Sequence, residues 1–258
     1  MATPGVWLAF RRGMPRPTGL TSAAGALRYW ERRQELVANN LANVSTDGFK
    51  GDRGFARLVG AGTVGESTTV QSAVDLRAGA LRETHNPLDV ALQSDGFFVV
   101  QSAAAPGAAG ERWTRAGSLQ LDANRRLVTA DGSAVLGTAG PITVPPNATV
   151  TVGADGTVRA TGPNGDRPIG QLRVERAPAG ASLAHDGATR FLPDPGRQPV
   201  PPTDRRVRQG FVEESNVTPV GALVDMIAVQ RAYAAVQKAV TTMDAVRGLA
   251  ASELGKPV

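Results

Sequence analysis

The chain has 258 residues, 41% apolar and 20% charged, which leaves room for one large domain or two ordinary ones and fits neither a membrane bundle nor a disordered acidic tail. With no cysteine and only two histidines, His85 and His185, thiol catalysis, disulfide scaffolding and Cys-based zinc sites are excluded, and a histidine-dependent mechanism has little material. The net charge of +5 raises nucleic acid as a partner, yet all but three of the 28 basic residues are arginines spread thinly along the chain, with no reading motif beside them, so no nucleic-acid partner is expected.

The chain opens on an apolar run, Val6 to Phe10, that Arg11 and Arg12 follow and Pro15 and Pro17 break. A secretory signal has its charges in front of a longer run, so residues 1–19 read as a flexible leader, or as sequence upstream of a start at Met14, rather than a cleavable signal. No stretch of eighteen apolar residues exists, and no membrane insertion is expected.

From Leu20 a helical stripe begins: Leu20, Ala23, Leu27, Trp30, Gln34, Val37, Leu41 and Val44 alternate by three and four. This is a heptad seam with one polar interruption, and it predicts a helix of about 26 residues, roughly 39 Å, within 20–47. Thr21 or Ser22 caps its start, and Ser45-Thr46-Asp47-Gly48 stops it.

Residues 48–85 read as a linker. Gly60-Ala61-Gly62-Thr63-Val64-Gly65 matches G-x-G-x-x-G, but no strand clearly leads in and no helical period follows, so no dinucleotide cofactor is expected. The chain also lacks a P-loop, a nucleophile elbow and carboxylates spaced for acid/base work. The expectation is a protein that is not an enzyme, with no catalytic residue, cofactor, metal or small-molecule substrate, and with both histidines at the surface.

Over 86–192 the helical period disappears. Asp95-Gly96, Asp131-Gly132, Asp155-Gly156, Asn164-Gly165 and Asp186-Gly187 are pairs that accept the positive φ of tight turns. They punctuate short runs such as Phe97–Val100, Leu127–Thr129, Ile142–Val144, Thr149–Val152 and Leu172–Val174, which predicts an antiparallel β domain. A return linker, 193–214, is Pro-rich as far as Pro202.

The last segment repeats the design of the first. Thr218 serves as N-cap with Pro219 at the first helical position, and Met226, Val229, Tyr233, Val236, Val240 and Met243 form a second seam that Arg247-Gly248 closes. Leu223 and Ile227 widen its apolar face, and the predicted length is about 30 residues, some 45 Å. The fold class is therefore α+β: two long amphipathic helices, within 20–47 and 215–250, stand at the ends of the chain around a β-rich antiparallel middle. Six to eight seam residues per helix bury too little to offset the ordering of about 56 residues, so the helices need each other or further copies of the chain.

Ala38-Asn39-Asn40-Leu41-Ala42-Asn43-Val44-Ser45-Thr46-Asp47-Gly48-Phe49-Lys50 places three asparagines within five positions beside the seam. On physics alone, these amides either terminate the helix or fix register and partner choice. The segment resembles the signature of the flagellar axial proteins of the rod and hook, matching at Ala38, Asn39, Asn40, Leu41, Ala42, Asn43, Thr46, Gly48, Phe49 and Lys50. Three further blocks stand in that family's order: Asn86–Leu92 running into Asp95–Val100, Leu127–Gly132, and Gln209–Val217 followed by Met226-Ile227 and Gln230–Tyr233. Pro141-Ile142 and Ile169–Val174 look most like the proximal rod member, with the distal rod member as alternative.

The resemblance implies a structural subunit that crosses the flagellar type III export gate, has other rod subunits and further copies of itself as partners, and resides in the basal-body rod. It implies that the terminal helices, 20–47 with 215–250, pair into a discontinuous coiled-coil domain while the β-rich middle faces outward; beside that seam, Asn39, Asn40 and Asn43 are expected to set register. Phe55–Val59 looks like the family's short export motif. Two departures stand out: Phe211-Val212-Glu213, where Leu-Glu commonly follows Gln-Gly, and Ala234, where Glu commonly follows Arg-Ala-Tyr. A reading of another class is a soluble enzyme or binding module that dimerises through its end helices.

Overall fold

The computed structural model describes residues 19–59, 67–102, 107, 110–163 and 165–254. The expected leader, except Gly19, and the Gly60–Gly65 motif lie outside the described residues. The chain begins with α1 (Gly19–Ala42), which leads into β1 (Asp52–Val59), β2 (Ser67–Val74), β3 (Leu81–Glu83), β4 (Val90–Leu92), β5 (Phe97–Gln101) and β6 (Glu111–Thr114). It continues through β7 (Leu119–Leu121), β8 (Leu127–Thr129), β9 (Ala134–Gly137), β10 (Gly140–Pro141), β11 (Thr149–Val152), β12 (Thr157–Gly162) and β13 (Gly165–Gln171). The final strands are β14 (Val174–Arg176), β15 (Arg190–Phe191), β16 (Gln198–Pro199), β17 (Val207–Gln209) and β18 (Phe211–Glu213), before α2 (Pro219–Leu254).

The α+β class and the antiparallel middle agree with the sequence reading, and the boundaries differ. The expected linker 48–85 carries β1, β2 and β3, and the expected return linker carries β16, β17 and β18. Ile142–Val144 forms an isolated bridge, Arg126 to Thr143, rather than a strand, although Ile142 and Val144 are buried. The first helix stops at Ala42, leaving Val44 in a turn, and α2 runs through Gly248 to Leu254. A single glycine weakens a helix by only about 1 kcal/mol, so the residues beyond it carry the period onward.

The largest sheet runs β15-β6-β5-β9-β8-β7, with β14 also on β5, β16 on β14 and β10 on β9. At its centre, Phe97-Phe98-Val99-Val100 is buried on both faces: Phe98 and Val100 enter one apolar cluster with Leu127, Val135, Val158 and Leu172. Phe97 and Val99 enter another with Trp113, Leu136, Leu183 and Phe191. Alternation sends neighbouring side chains to opposite faces, so an unbroken apolar run marks a strand covered twice. The Asp-Gly and Asn-Gly pairs act as read, with Gly96, Gly132, Gly156, Gly165 and Gly187 all at positive φ.

A separate sheet, β11-β12-β13, ends in the exposed strand β13, whose Pro168 stands opposite Arg159 beside a break in register. Two short sheets pair β17 with β4 and β18 with β3, bringing the C-terminal block onto the strands that follow the first hairpin. The chain divides into two compact units: Met1–Glu35 with Gly54–Gln71 and Met226–Val258, and Leu36–Arg53 with Ser72–Asp225.

Candidate assembly helices and their junction

In the second unit, the turn that ends α1 is built by its own asparagine motif. Asn43 donates its side-chain amide to Asn39 O and accepts from Thr46 Oγ1 at 3.3 Å, while backbone bonds from Thr46 to Asn43 and from Phe49 to Thr46 wind the chain tightly. Asn40 holds Asp52 from both sides, donating to its carbonyl and accepting from its amide, each at 2.9 Å. Asn39 is exposed. Gly48 has φ +73°, and a Cβ there would lie 2.2 Å from Ala116 N, so the position accepts only glycine.

The C-terminal block lands on this turn. Gly48 N donates to Glu213 O at 2.6 Å, Gly51 N to Asn216 Oδ1 at 2.9 Å, and Asn216 N to Phe49 O at 3.4 Å. Asn216 also donates its amide to Asp75 O and Arg77 O. The last turns of α1 and the first turns of α2 are thus fastened to one junction, made from two segments the sequence singles out.

Beneath it lies a cluster of buried charge. Lys50 is fully buried, with Nζ 2.5 Å from Glu213 Oε1 and 2.7 Å from Arg77 O. Gly79 N donates to the same carboxylate oxygen at 2.9 Å, and Arg115 Nη1 reaches Oε2 at 3.2 Å. Arg115 also donates to Leu92 O and Ser94 O, and its guanidinium lies over the Phe97 ring. Burial pushes both the Lys50 ammonium and the Arg115 guanidinium below their ordinary ranges, and the charge of Glu213 opposes that in each case. Reading the sequence by periodicity missed Glu213 and Arg115, since nothing local joins Lys50 to residues so distant. The one signal was that Lys50 and Glu213 both fall within quoted motif blocks.

Phe49 is buried and stacks on His185, which also packs on Phe191. His185 is therefore not the surface residue expected; its Nε2 lies 3.5 Å from Asp52 Oδ1. His85 is exposed.

The seam residues differ in burial. On α1, Val37 is buried with its neighbour Leu36, while Leu27, Trp30 and Leu41 are half-buried, as is Val44 beyond the helix; the side chain of Leu20 lies outside the described set. On α2, Val229 is buried and Met226, Tyr233, Val236 and Val240 are half-buried, whereas Met243 is exposed. In the first unit, Tyr233 Oη donates to Glu31 Oε1 at 3.3 Å, joining α2 to α1. Off that stripe α2 keeps large apolar side chains in water: Val220, Leu223, Val224 and Ile227 are 49–73% exposed. No helix among the described residues is long and apolar enough to cross a membrane, and no group of acidic or histidine side chains among them is arranged to hold a metal.

Three family descriptions match the chain in order: Flagella basal body rod protein over residues 20–50, Flagellar hook protein FlgE/F/G D1 domain over 91–160, and Flagellar basal body rod FlgEFG protein C-terminal over 208–252. Among whole-chain relatives, the flagellar basal-body rod protein FlgF of Salmonella typhimurium is 37% identical over 243 residues, covering 89% of this chain and 95% of the relative. The FlgF of Caulobacter vibrioides is 34% identical over 236 residues, covering 87% and 93%. The flagellar basal-body rod protein FlgG of Borreliella burgdorferi is 31% identical over 263 residues, covering 90% and 96%.

Proposed function

Because the chain belongs to the flagellar basal-body rod protein family, we propose that it is a non-enzymatic structural subunit of the proximal rod, in the periplasm-spanning part of the basal body. It leaves the cytoplasm through the flagellar type III apparatus without a cleavable signal. It then assembles helically with other rod subunits and further copies of itself, and its paired end helices transmit torque. Higher identity to FlgF than to the FlgG relative supports the proximal assignment over the distal one.

The observation that carries the reading is the second apolar face of α2. Leu223 and Ile227 stand one turn apart, half in water, on a helix whose seam stripe is buried at Val229 and half-buried at Met226, Tyr233, Val236 and Val240. A run of exposed apolar side chains on one helix is the mark of a surface that a partner covers. Tyr233 bonded to Glu31 supports the pairing of α1 with α2 as a coiled coil. In that arrangement the exposed amide of Asn39 is placed to set register between subunits, while Asn40 and Asn43 fix the turn that aims the helix.

The test separates folding from assembly. Leu223→Asp and Ile227→Asp change exposed positions, so each purified chain is expected to keep its circular dichroism, and its unfolding free energy within about 0.5 kcal/mol. A strain carrying only either variant is expected to build no rod beyond this subunit and not to swim. Normal swimming with both variants sinks the proposal.

A further inference from the structure

The charge cluster under the junction has an arrangement that packing alone does not require. Two cations from distant segments, Lys50 at the end of the N-terminal motif and Arg115 after β6, converge on one carboxylate that arrives on the last strand of the β region. The side chains of Lys50 and Glu213 are 0% and 1% exposed, and that of Arg115 6%. Without Glu213 the pocket would bury two cations against carbonyls alone, with the Gly79 amide also losing its acceptor. Removing one partner of a buried pair is far more damaging than removing both, because the remaining charge is out of water and unpaired.

The same strand stitches the helix ends: Glu213 O receives Gly48 N, and Asn216, three residues later, receives Gly51 N. We infer that Glu213 is a closure latch, an anion delivered last along the chain that lets the segment 48–52 seat and so fixes the end of α1 beside the start of α2. Until β18 pairs with β3, Lys50 keeps its hydration, the segment stays open, and the two helices have no common anchor. The latch makes the anchoring of the helix ends conditional on a chain that extends through β18. It is independent of where the protein assembles.

The experiment is native-state hydrogen exchange on the full chain, comparing wild type with Glu213→Gln. The amides of Gly48, Gly51 and Asn216 are expected to exchange about a hundredfold faster or more, the factor that follows from leaving a buried charge unpaired. Val99 and Leu127, at the sheet centre, are expected to keep their protection. Glu214→Gln, which removes the neighbouring carboxylate paired with exposed Arg82, is expected to change neither set. If the junction amides keep wild-type protection in Glu213→Gln, or if junction and sheet lose it together, Glu213 is no latch. Should Glu213→Gln fail to fold, Glu213→Asp is read in its place: it keeps the charge but shortens its reach. Selective opening of the junction then supports the latch, and unchanged or uniform exchange overturns it.

Discussion

Asp75 shows how much one carboxylate organises. Its side chain takes Arg77 in a two-pronged contact and Arg53 at 3.1 Å, while its backbone amide bonds Gly51 and its carbonyl receives Asn216. The hydrogen bond from Arg77 holds its carboxyl below the ordinary aspartate range. A carboxylate held low favours the folded state above its ordinary value, about 4, and that advantage disappears as pH falls through the lowered value. The unfolding midpoint in urea is therefore expected to drop between pH 5 and pH 3 (about one unit either side of that value) more steeply in wild type than in Asp75→Asn. Nothing in the sequence marks Asp75, because its partners are a neighbour two positions on and groups from segments more than twenty residues away. The asparagines stand out in the sequence, but their spacing fits helix termination and register equally. In the structure Asn40 and Asn43 engage the backbone on either side of the turn, work that a stripe count cannot distinguish from contact with a neighbour.

At the scale of elements, β5 serves two cores at once. Val99 and Val100 are adjacent in the chain, both 0% exposed, and belong to different apolar clusters. Val99→Ala and Val100→Ala are each expected to lose about 2 kcal/mol in urea unfolding. In the double variant the losses are expected to add within about 0.5 kcal/mol, because the two side chains share no cavity. Strands of this kind were legible, since four apolar residues between turn pairs admit few alternatives. The strand Asp-Arg-Gly-Phe-Ala-Arg-Leu-Val was not, because a central glycine and two arginines hide any alternation, and pairing with β2 rather than its own pattern makes it a strand. The end of α2 was misplaced for a related reason: glycine and arginine resemble a stop, but a helix stops only where its period does.

For the molecule as a whole, the place where the chain can be cut follows from the junction. A chain ended after Asp225 retains Glu213, Asn216 and the first turns of α2, and the second unit is expected to unfold in one transition near the wild-type midpoint. A chain ended after Gln209 loses β18 and leaves Lys50 and Arg115 without their carboxylate, and is expected to lose about 3 kcal/mol or more. Trp113, fully buried and stacked on Phe97, reports both by its fluorescence. Domain limits drawn from composition placed that stretch in a linker, since three short strands with a glycine between two of them look like connection until their partners are known.

The outer edge of β13 bears on the same question of what joins to what. Sheet edges present rows of open donors and acceptors, and any chain held at high local concentration runs the risk of pairing strand on strand. Pro168 removes one donor from the middle of that edge, the register breaks opposite it, and Asp166 and Arg167 stand exposed beside it. Such an edge is a poor template for amyloid-like or domain-swapped pairing. In the assembly proposed above, such an edge leaves the addition of each further subunit to the helices, with one ordered way to join and few disordered ones.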